Sequence, residues 1–174
     1  MQQRAVQQGF TLIELIIVIV ILGILAVVAA PRFIDFGSDA RVASINAIAS
    51  QMKSTVSLAQ AKARVSGLRP VSTNPNGGQT AYVVDFGFGT SEVDFRNLCP
   101  ESQAEFGNQL EMLDFMQNGL NGDISTRVDN QYTLIGYTVP SSGVPTNHGC
   151  YVIYDSFGTP DCTITVVTDD CYAC

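Results

Sequence analysis

Basic side chains and histidine are scarce in the second part of this sequence. Residues 71–174 carry two basic and thirteen acidic side chains, whereas residues 1–70 carry seven basic and three acidic ones. Because phosphate contacts need clustered Lys and Arg, we do not expect the acidic part to bind nucleic acid. The only histidine, His148, lies in the segment PTNHG, which we interpret as a surface turn and not as a catalytic site.

Complete motifs for catalysis, phosphate binding or metal binding are also missing from the sequence. The segment GFGTSEVD, residues 87–94, contains glycines but lacks the lysine and the following helix of a phosphate-binding loop. The acids do not follow the spacing of an EF-hand. Cys171-Tyr-Ala-Cys174 has the C-x-x-C spacing of a metal knuckle or a redox pair, but no second C-x-x-C accompanies it. The sequence therefore predicts a protein without enzymatic activity, cofactor or metal.

What the sequence does contain is one long apolar run, residues 10–30. It holds no Lys or Arg and a single acid, Glu14. As an α-helix the run would extend roughly 30 Å, about the hydrocarbon thickness of a bilayer. Apolar side chains occur on all faces of this helix, which predicts that lipid or other helices surround it.

Two ordinary interpretations of the run are a secretory signal peptide cut after Ala30 and a single-span membrane anchor. The run exceeds the usual apolar length of a signal peptide, about 7–15 residues, and Pro31 would follow the cut. In a plain anchor an unpaired acid costs about 2.5–3.5 kcal/mol at the bilayer centre, so Glu14 should have a partner. Arg4 is the only charge before the run, which predicts a cytoplasmic amino terminus and an exported domain.

A second helical pattern follows the apolar run. Apolar residues recur at spacings of three and four, as on one face of a helix. They are Val42, Ile45, Ala49, Met52, Val56, Ala59 and Ala63, with Ile48 beside them. We therefore predict one long helix over residues 10–64, whose second half faces a protein core.

The remaining residues predict strands and one further helix. Segments rich in β-branched and aromatic residues predict strands at 80–86, 131–139, 150–155 and 162–169. Residues 101–118 predict a helix with an apolar face of Phe106, Leu110 and Leu113. Short links between the strands favour antiparallel pairing. The predicted fold class is α+β, with the amphipathic half of the long helix packed on a four-stranded antiparallel sheet.

Five cysteines follow the apolar run, in the part that we expect to be exported, where disulfides persist. They are Cys99, Cys150, Cys162, Cys171 and Cys174. A hairpin turning near residues 156–159 leads us to expect a Cys150–Cys162 disulfide. Cys99 would then pair with Cys171 or Cys174, and one cysteine would be left over or paired between molecules.

The start of the apolar run carries the segment GFTLIEL, residues 9–15, after a short polar leader. This arrangement resembles the type IV pilins and the related secretion pseudopilins. The resemblance covers residues 1–64 well and the rest only in broad layout, and it implies a pilin-like fold with a disulfide loop near the carboxyl terminus. It also implies cleavage after Gly9 by a prepilin peptidase and N-methylation of Phe10.

Cleavage at this position would place a cationic amine at Phe10, one helical turn from Glu14. A carboxylate among apolar helices is unfavourable alone and becomes tolerable beside an ammonium group. The resemblance implies that Glu14 meets the amine of an adjacent subunit, although the spacing alone allows a pair within one chain. Gly23 and Pro31 match helix-weakening positions of the family, which implies that the segment between them can lose helical order in a filament.

These arguments divide the chain into three parts. Residues 1–9 are a leader peptide, residues 10–30 a transmembrane and filament-core helix, and residues 31–174 a globular head that includes the rest of the long helix. The segment PRFIDFGSDARVASINAIASQMKS, residues 31–54, and the cysteine-bearing tail are most similar in appearance to the mannose-sensitive haemagglutinin pilins.

The expected function is that of a structural subunit of a type IV pilus, made in the inner membrane of a Gram-negative bacterium and polymerised into extracellular filaments for attachment. The expected partners are other copies of the chain, the prepilin peptidase, the inner membrane before assembly, and a host or surface glycan. Two alternatives are a type II secretion pseudopilin and a membrane-anchored periplasmic binding domain that does not polymerise.

Overall fold

The computed structural model describes residues 11–75, 79–105, 107–120 and 122–172. The chain divides into two compact units, Met1–Asp39 and Ala40–Cys174. One helix, α1, extends over Leu12–Val65 and confirms the predicted long helix. The helix assignment is continuous through Gly23 and Pro31.

Helix α1 ends at a glycine that can adopt a backbone conformation other residues avoid. Gly67 has a φ of 88°, which favours glycine because a Cβ would be strained there. The amide of Gly67 donates to the carbonyl of Arg64, and the amide of Leu68 donates to that of Ala63. These two bonds form a Schellman motif, which satisfies carbonyls that the helix itself leaves without partners.

Within the described part of the chain, the strands form two separate antiparallel sheets. The smaller sheet pairs β1 (Val83–Asp85) with β2 (Thr90–Glu92). The larger sheet has the order β3 (Ser125–Val128), β4 (Tyr132–Gly136), β5 (Tyr151–Asp155) and β6 (Thr163–Val167). The α+β class and the four-stranded antiparallel sheet are therefore confirmed.

One strand that was predicted for the large sheet, at residues 80–86, was wrong. The segment 80–86 does not join the large sheet, because the turn at Gly87 returns the chain directly to β2. Gly87 has a φ of 87°, and its amide donates to the Asp85 carboxylate over 2.7 Å. The fourth strand is instead β3, a short segment that pairs with β4 across residues 129–131.

The predicted helix over residues 101–118 was also wrong. A 3₁₀ helix covers only Asp114–Gly119, and Phe106 lies outside the described residues. The amide of Leu110 donates to the Thr90 carbonyl over 2.7 Å, and the Leu110 side chain lies against Gly89. These contacts with the small sheet replace the local helical hydrogen bonds, so tertiary structure overrides the helical pattern.

The core of the head lies between α1 and one face of the large sheet. The predicted stripe on α1 is confirmed, since Ile45, Met52, Ala59 and Ala63 are fully buried. Residues of the first core cluster come from α1, β4, β5 and the loops, and include Ile45, Met52, Met112, Met116, Ile135, Val152 and Tyr154. A second cluster lies around the small sheet and includes Ala63, Tyr82, Val84, Val93, Phe95 and Leu98.

Candidate functional site

The amino-terminal part of α1 displays apolar side chains to solvent on every face. The large apolar residues between Leu12 and Val28 are 45% to 76% exposed. Exposing so much apolar surface to water is unfavourable, and a continuous patch of this size is typical of a segment that contacts lipid or other protein chains. Across the described residues, we find no helix with the length and apolar character needed to span a membrane.

Glu14 lies in the first turn of α1 and binds the residue that precedes the helix. Its Oε2 atom accepts hydrogen bonds from the backbone amide and the hydroxyl of Thr11, each 2.8 Å long. The Thr11 hydroxyl oxygen in turn accepts from the Glu14 amide over 3.4 Å. This arrangement is a capping box, in which a Thr and a Glu three residues later satisfy the free amides at a helix start.

This capping role was not predicted, although the spacing T-x-x-E in TLIE is the signature of a capping box. A carboxylate near a helix amino terminus is also favoured by the helix dipole. Gly9 and Phe10 lie outside the described residues, so the proposed pairing of Glu14 with the Phe10 amine stays a prediction.

Gly23 lies within α1, and a Cβ built there would meet no other atom within 4 Å. The glycine is therefore not required by close packing in the single chain. Pro31 also lies within the assigned helix. The predicted weakness of the segment between them in a filament stays a prediction.

Among the residues that the structure describes there are two disulfides, Cys99–Cys162 and Cys150–Cys171. The expected Cys150–Cys162 pairing was therefore wrong, and so was the expected pairing of Cys99 with Cys171 or Cys174. Cys150 directly precedes β5 and Cys162 directly precedes β6, and these strands are antiparallel, with Tyr151 opposite Val167 and Asp155 opposite Thr163. The starts of two antiparallel strands lie at opposite ends of a hairpin, roughly 17 Å apart for five residues at about 3.4 Å each.

Both observed disulfides join the β5–β6 hairpin to segments beside its ends. Cys150 pairs with Cys171, which follows β6 at the end of the hairpin where Tyr151 lies opposite Val167. At the other end, the Asn97 side-chain amide donates to the carbonyls of Ser156 and Gly158, which holds the 97–99 segment against the hairpin turn. Cys99 thereby reaches Cys162. Cys174 lies outside the described residues.

His148 is 89% exposed and contacts a residue near the second disulfide. Its Nδ1 atom lies 2.6 Å from Oδ2 of Asp169. The other Asp169 oxygen accepts a hydrogen bond from the Gly149 amide over 2.7 Å. This bond has the largest effect in lowering the pKa of the Asp169 carboxyl, and the bond with His148 has the next largest. Within the described ranges, His, Cys, Asp and Glu form no group of three that could hold a metal ion.

Known proteins are similar to this chain over part of its length. A family model described as the prokaryotic N-terminal methylation motif matches residues 4–30. The chain is 44% identical over 75 residues to the type IV narrow pilus major component PilA5 of Thermus thermophilus, which covers 42% of this chain and 65% of that relative. It is 50% identical over 53 residues to the type IV major pilin protein PilE1 of Neisseria gonorrhoeae, covering 30% and 32% of the two chains.

A fimbrial protein of Moraxella nonliquefaciens is 47% identical over 51 residues, which covers 29% of this chain and 33% of that protein. The chain thus matches less than two thirds of the length of each of these relatives. No solved structure matches the chain significantly.

Proposed function

Because this chain carries the methylation motif of type IV prepilins and is homologous to type IV pilins, we propose that it is a structural subunit of a type IV pilus. The observation that carries the proposal is the coincidence of two features in one segment. Residues 12–28 form a helix exposed on every face, and that helix lies inside the region matched by the methylation motif. A helix of this kind needs lipid or neighbouring helices around it, and a filament core supplies the latter.

In this proposal the precursor is held in the inner membrane by the apolar run, residues 10–30. A prepilin peptidase cleaves after Gly9, and the new amino terminus at Phe10 is N-methylated. The head, residues 31–174, lies outside the cytoplasm, where its disulfides persist. The two disulfides of the head agree with such a location.

Glu14 then favours assembled over isolated subunits. The capping box with Thr11 fixes the carboxylate at the first turn of α1, close in sequence to Phe10. Among apolar helices this charge is costly unless a cation lies beside it, and the Phe10 amine of a neighbouring subunit would be that cation. The contact would also set the axial position of one subunit relative to the next.

The filament would serve attachment, with a host or surface glycan as a further partner of the assembled heads. Shearing cells and labelling the released filaments with an antibody against the head tests this proposal. We expect this chain as the repeating component of surface fibres. Its recovery only in short periplasmic structures would indicate a secretion pseudopilin, and its recovery only as a membrane-bound monomer would contradict polymerisation.

A further inference from the structure

Two features of the head, an exposed aromatic cluster and a groove, lie on different parts of its surface. The first is an aromatic knob of Phe86, Phe88 and Phe115. Their ring centroids are 5.1 Å to 6.0 Å apart, with edge-to-face contacts to Phe115. Phe88 is 70% exposed at the tip of the β1–β2 turn, and its ring is held in place by its contacts with Phe86 and Phe115. Exposed aromatic clusters of this kind are typical of protein interfaces.

The second feature is a groove between α1 and the edge strand β6, with a volume of about 280 Å³. Its apolar surface comes from Val56, Cys162 and Ile164, and its polar rim from Lys53, Gln60 and Asp161. A cavity of roughly 150 Å³ can hold a benzene ring, so this α1–β6 groove is large enough for a phenylalanine side chain.

The knob and the groove lie beside opposite faces of α1. The Gln51 side-chain amide donates to the Phe115 carbonyl over 3.4 Å, next to the knob, whereas the Gln60 amide donates to Asp161 Oδ1 over 2.9 Å in the groove. Because successive helical residues are rotated by roughly 100°, nine residues place Gln51 and Gln60 on opposite sides of the helix. Two copies placed side by side could therefore join knob to groove without using the same surface twice.

Charge also distinguishes the two surfaces. Lys53 is exposed at the groove and has no ion pair among the residues that the structure describes. The exposed residues Asp85 and Asp114 directly precede Phe86 and Phe115 of the knob. A lysine near an aromatic face is attracted to the ring and to nearby carboxylates. Asp161 on the same groove rim accepts a hydrogen bond from Gln60, and its charge opposes those carboxylates, so Lys53 supplies the attraction.

We propose that the aromatic knob of one copy inserts Phe88 into the α1–β6 groove of the next copy. The inference rests on the proposed function, because it names a head-to-head contact of the assembled filament. A contact between two different surfaces of one molecule is heterologous, and repeating it produces a ring where the rotation closes and an open helical array where it does not. The contact is separate from the one that Glu14 would make in the filament core.

The direct test places a photo-crosslinking phenylalanine analogue at position 88 of the full-length chain in cells that make filaments. Irradiated filaments should yield a pilin dimer whose crosslink joins position 88 to the tryptic peptide of residues 54–62, or to residues 161–164. The same analogue at position 172, where Tyr172 is also an exposed aromatic residue, should not label these segments.

Substitutions test independently whether filament assembly depends on this contact. Phe88→Ala and Ser57→Trp, which would fill the groove, should each lower the yield of sheared filaments by roughly tenfold or more, as expected for loss of a central aromatic anchor. Ser54→Trp is a matched control, because Ser54 and Ser57 are both exposed and each donates its hydroxyl to the carbonyl four residues before it. Monomer level and disulfide formation should be unchanged in every variant.

Intact filaments with crosslinks elsewhere, or with full yield for Phe88→Ala, would overturn this contact and leave the proposed function standing. Absence of filaments from the unmodified chain under conditions in which other pilins assemble would instead overturn the proposed function, and the contact with it.

Discussion

The carboxylate of Glu14 binds Thr11 at two points, with 2.8 Å from Oε2 to the backbone amide and 2.8 Å to the hydroxyl. These bonds satisfy amides that would otherwise lack partners at the start of α1. They also fix the position of Glu14, the only acid of the apolar run. Glu14 therefore caps its own helix, and the proposed function gives it a second, separable role as a charge in the assembled filament.

Substitution of Glu14 distinguishes these roles. Glu14→Gln keeps an oxygen that can accept the Thr11 bonds but removes the charge, whereas Glu14→Ala removes both. We expect both variants to lose most filaments, because the proposed amine partner needs a carboxylate. Thr11→Ala, which removes only the cap, should weaken the helix start by about 0.5–2 kcal/mol and leave filaments largely intact. Quantitative immunoblots of sheared fractions measure the result, and normal assembly by Glu14→Gln would contradict the charge role.

Buried acids in the head predict a pH-dependent stability. The Asp94 carboxylate is bound by the Arg96 guanidinium at 3.0 Å and 2.5 Å, but Oε1 of buried Glu101 has no hydrogen-bond partner among the described residues. Burial, together with Asp94, Glu92 and Glu105, raises the pKa of Glu101 to about 8. Glu101 is therefore neutral in the folded head at pH 7 and ionised in the unfolded chain.

Because the folded pKa lies above the unfolded value of about 4.3, the stabilising effect is complete below that value and is lost as the pH rises through about 8. We expect the free energy of unfolding in urea to fall by a few kcal/mol between pH 5 and pH 9. Glu101→Gln should flatten this slope, and Asp123→Asn, at an exposed position that is not among the causes of the raised Glu101 pKa, should not. Parallel slopes for wild type and Glu101→Gln would contradict the assignment.

The two disulfides should differ in their contribution to stability. Cys99–Cys162 spans 63 residues of sequence and Cys150–Cys171 spans 21. A disulfide that closes a longer loop restricts the unfolded chain more, and the threefold difference in span corresponds to about 1 kcal/mol. Paired Cys→Ala variants should therefore each destabilise the head by about 2–5 kcal/mol, with the larger loss for the 99/162 pair. Thermal unfolding of the full-length chain in detergent measures both, and the reverse order would contradict the chain-entropy account.

A glycine in the large sheet cannot be replaced without moving its neighbour. Gly136 of β4 lies opposite Tyr151 of β5, and a Cβ at this position would overlap the Cys150 carbonyl oxygen and Tyr151 Cα. Because these are backbone atoms, Gly136→Ala should cost about 1–3 kcal/mol or more of folding stability. Gly122→Ala is the control, since a Cβ there would meet nothing within 4 Å. Equal unfolding midpoints for the two variants would show that the strands separate more easily than the structure indicates.

Local patterns predicted the long helix, its buried stripe and three of the four strands in the large sheet. Periodicity identifies these elements because each buries one face along its whole length. The strand β3 and the small sheet were not assigned correctly, since the pairing of short segments depends on turns and partners distant in sequence. The disulfide pairing was recoverable in part, because a turn after Asp155 already places Cys150 opposite residues after β6 and away from Cys162.

The candidate site was likewise predictable where it depends on neighbouring residues and not where it depends on distant segments. The apolar run, Glu14 and the position of the leader were visible as sequence features, because they depend on residues adjacent in the chain. The groove beside Lys53 and the cluster around Phe88 were not visible, because each is assembled from segments separated by at least 25 residues and is shaped only when the sheets pack on α1.

The most direct test of the central claim is intact-mass and amino-terminal analysis of the chain recovered from sheared surface filaments. A pilus subunit processed as proposed begins at Phe10, carries one methyl group on its amino nitrogen, and retains Glu14 and the whole apolar helix. A chain that begins at Met1, or one cut after Ala30, would contradict the account.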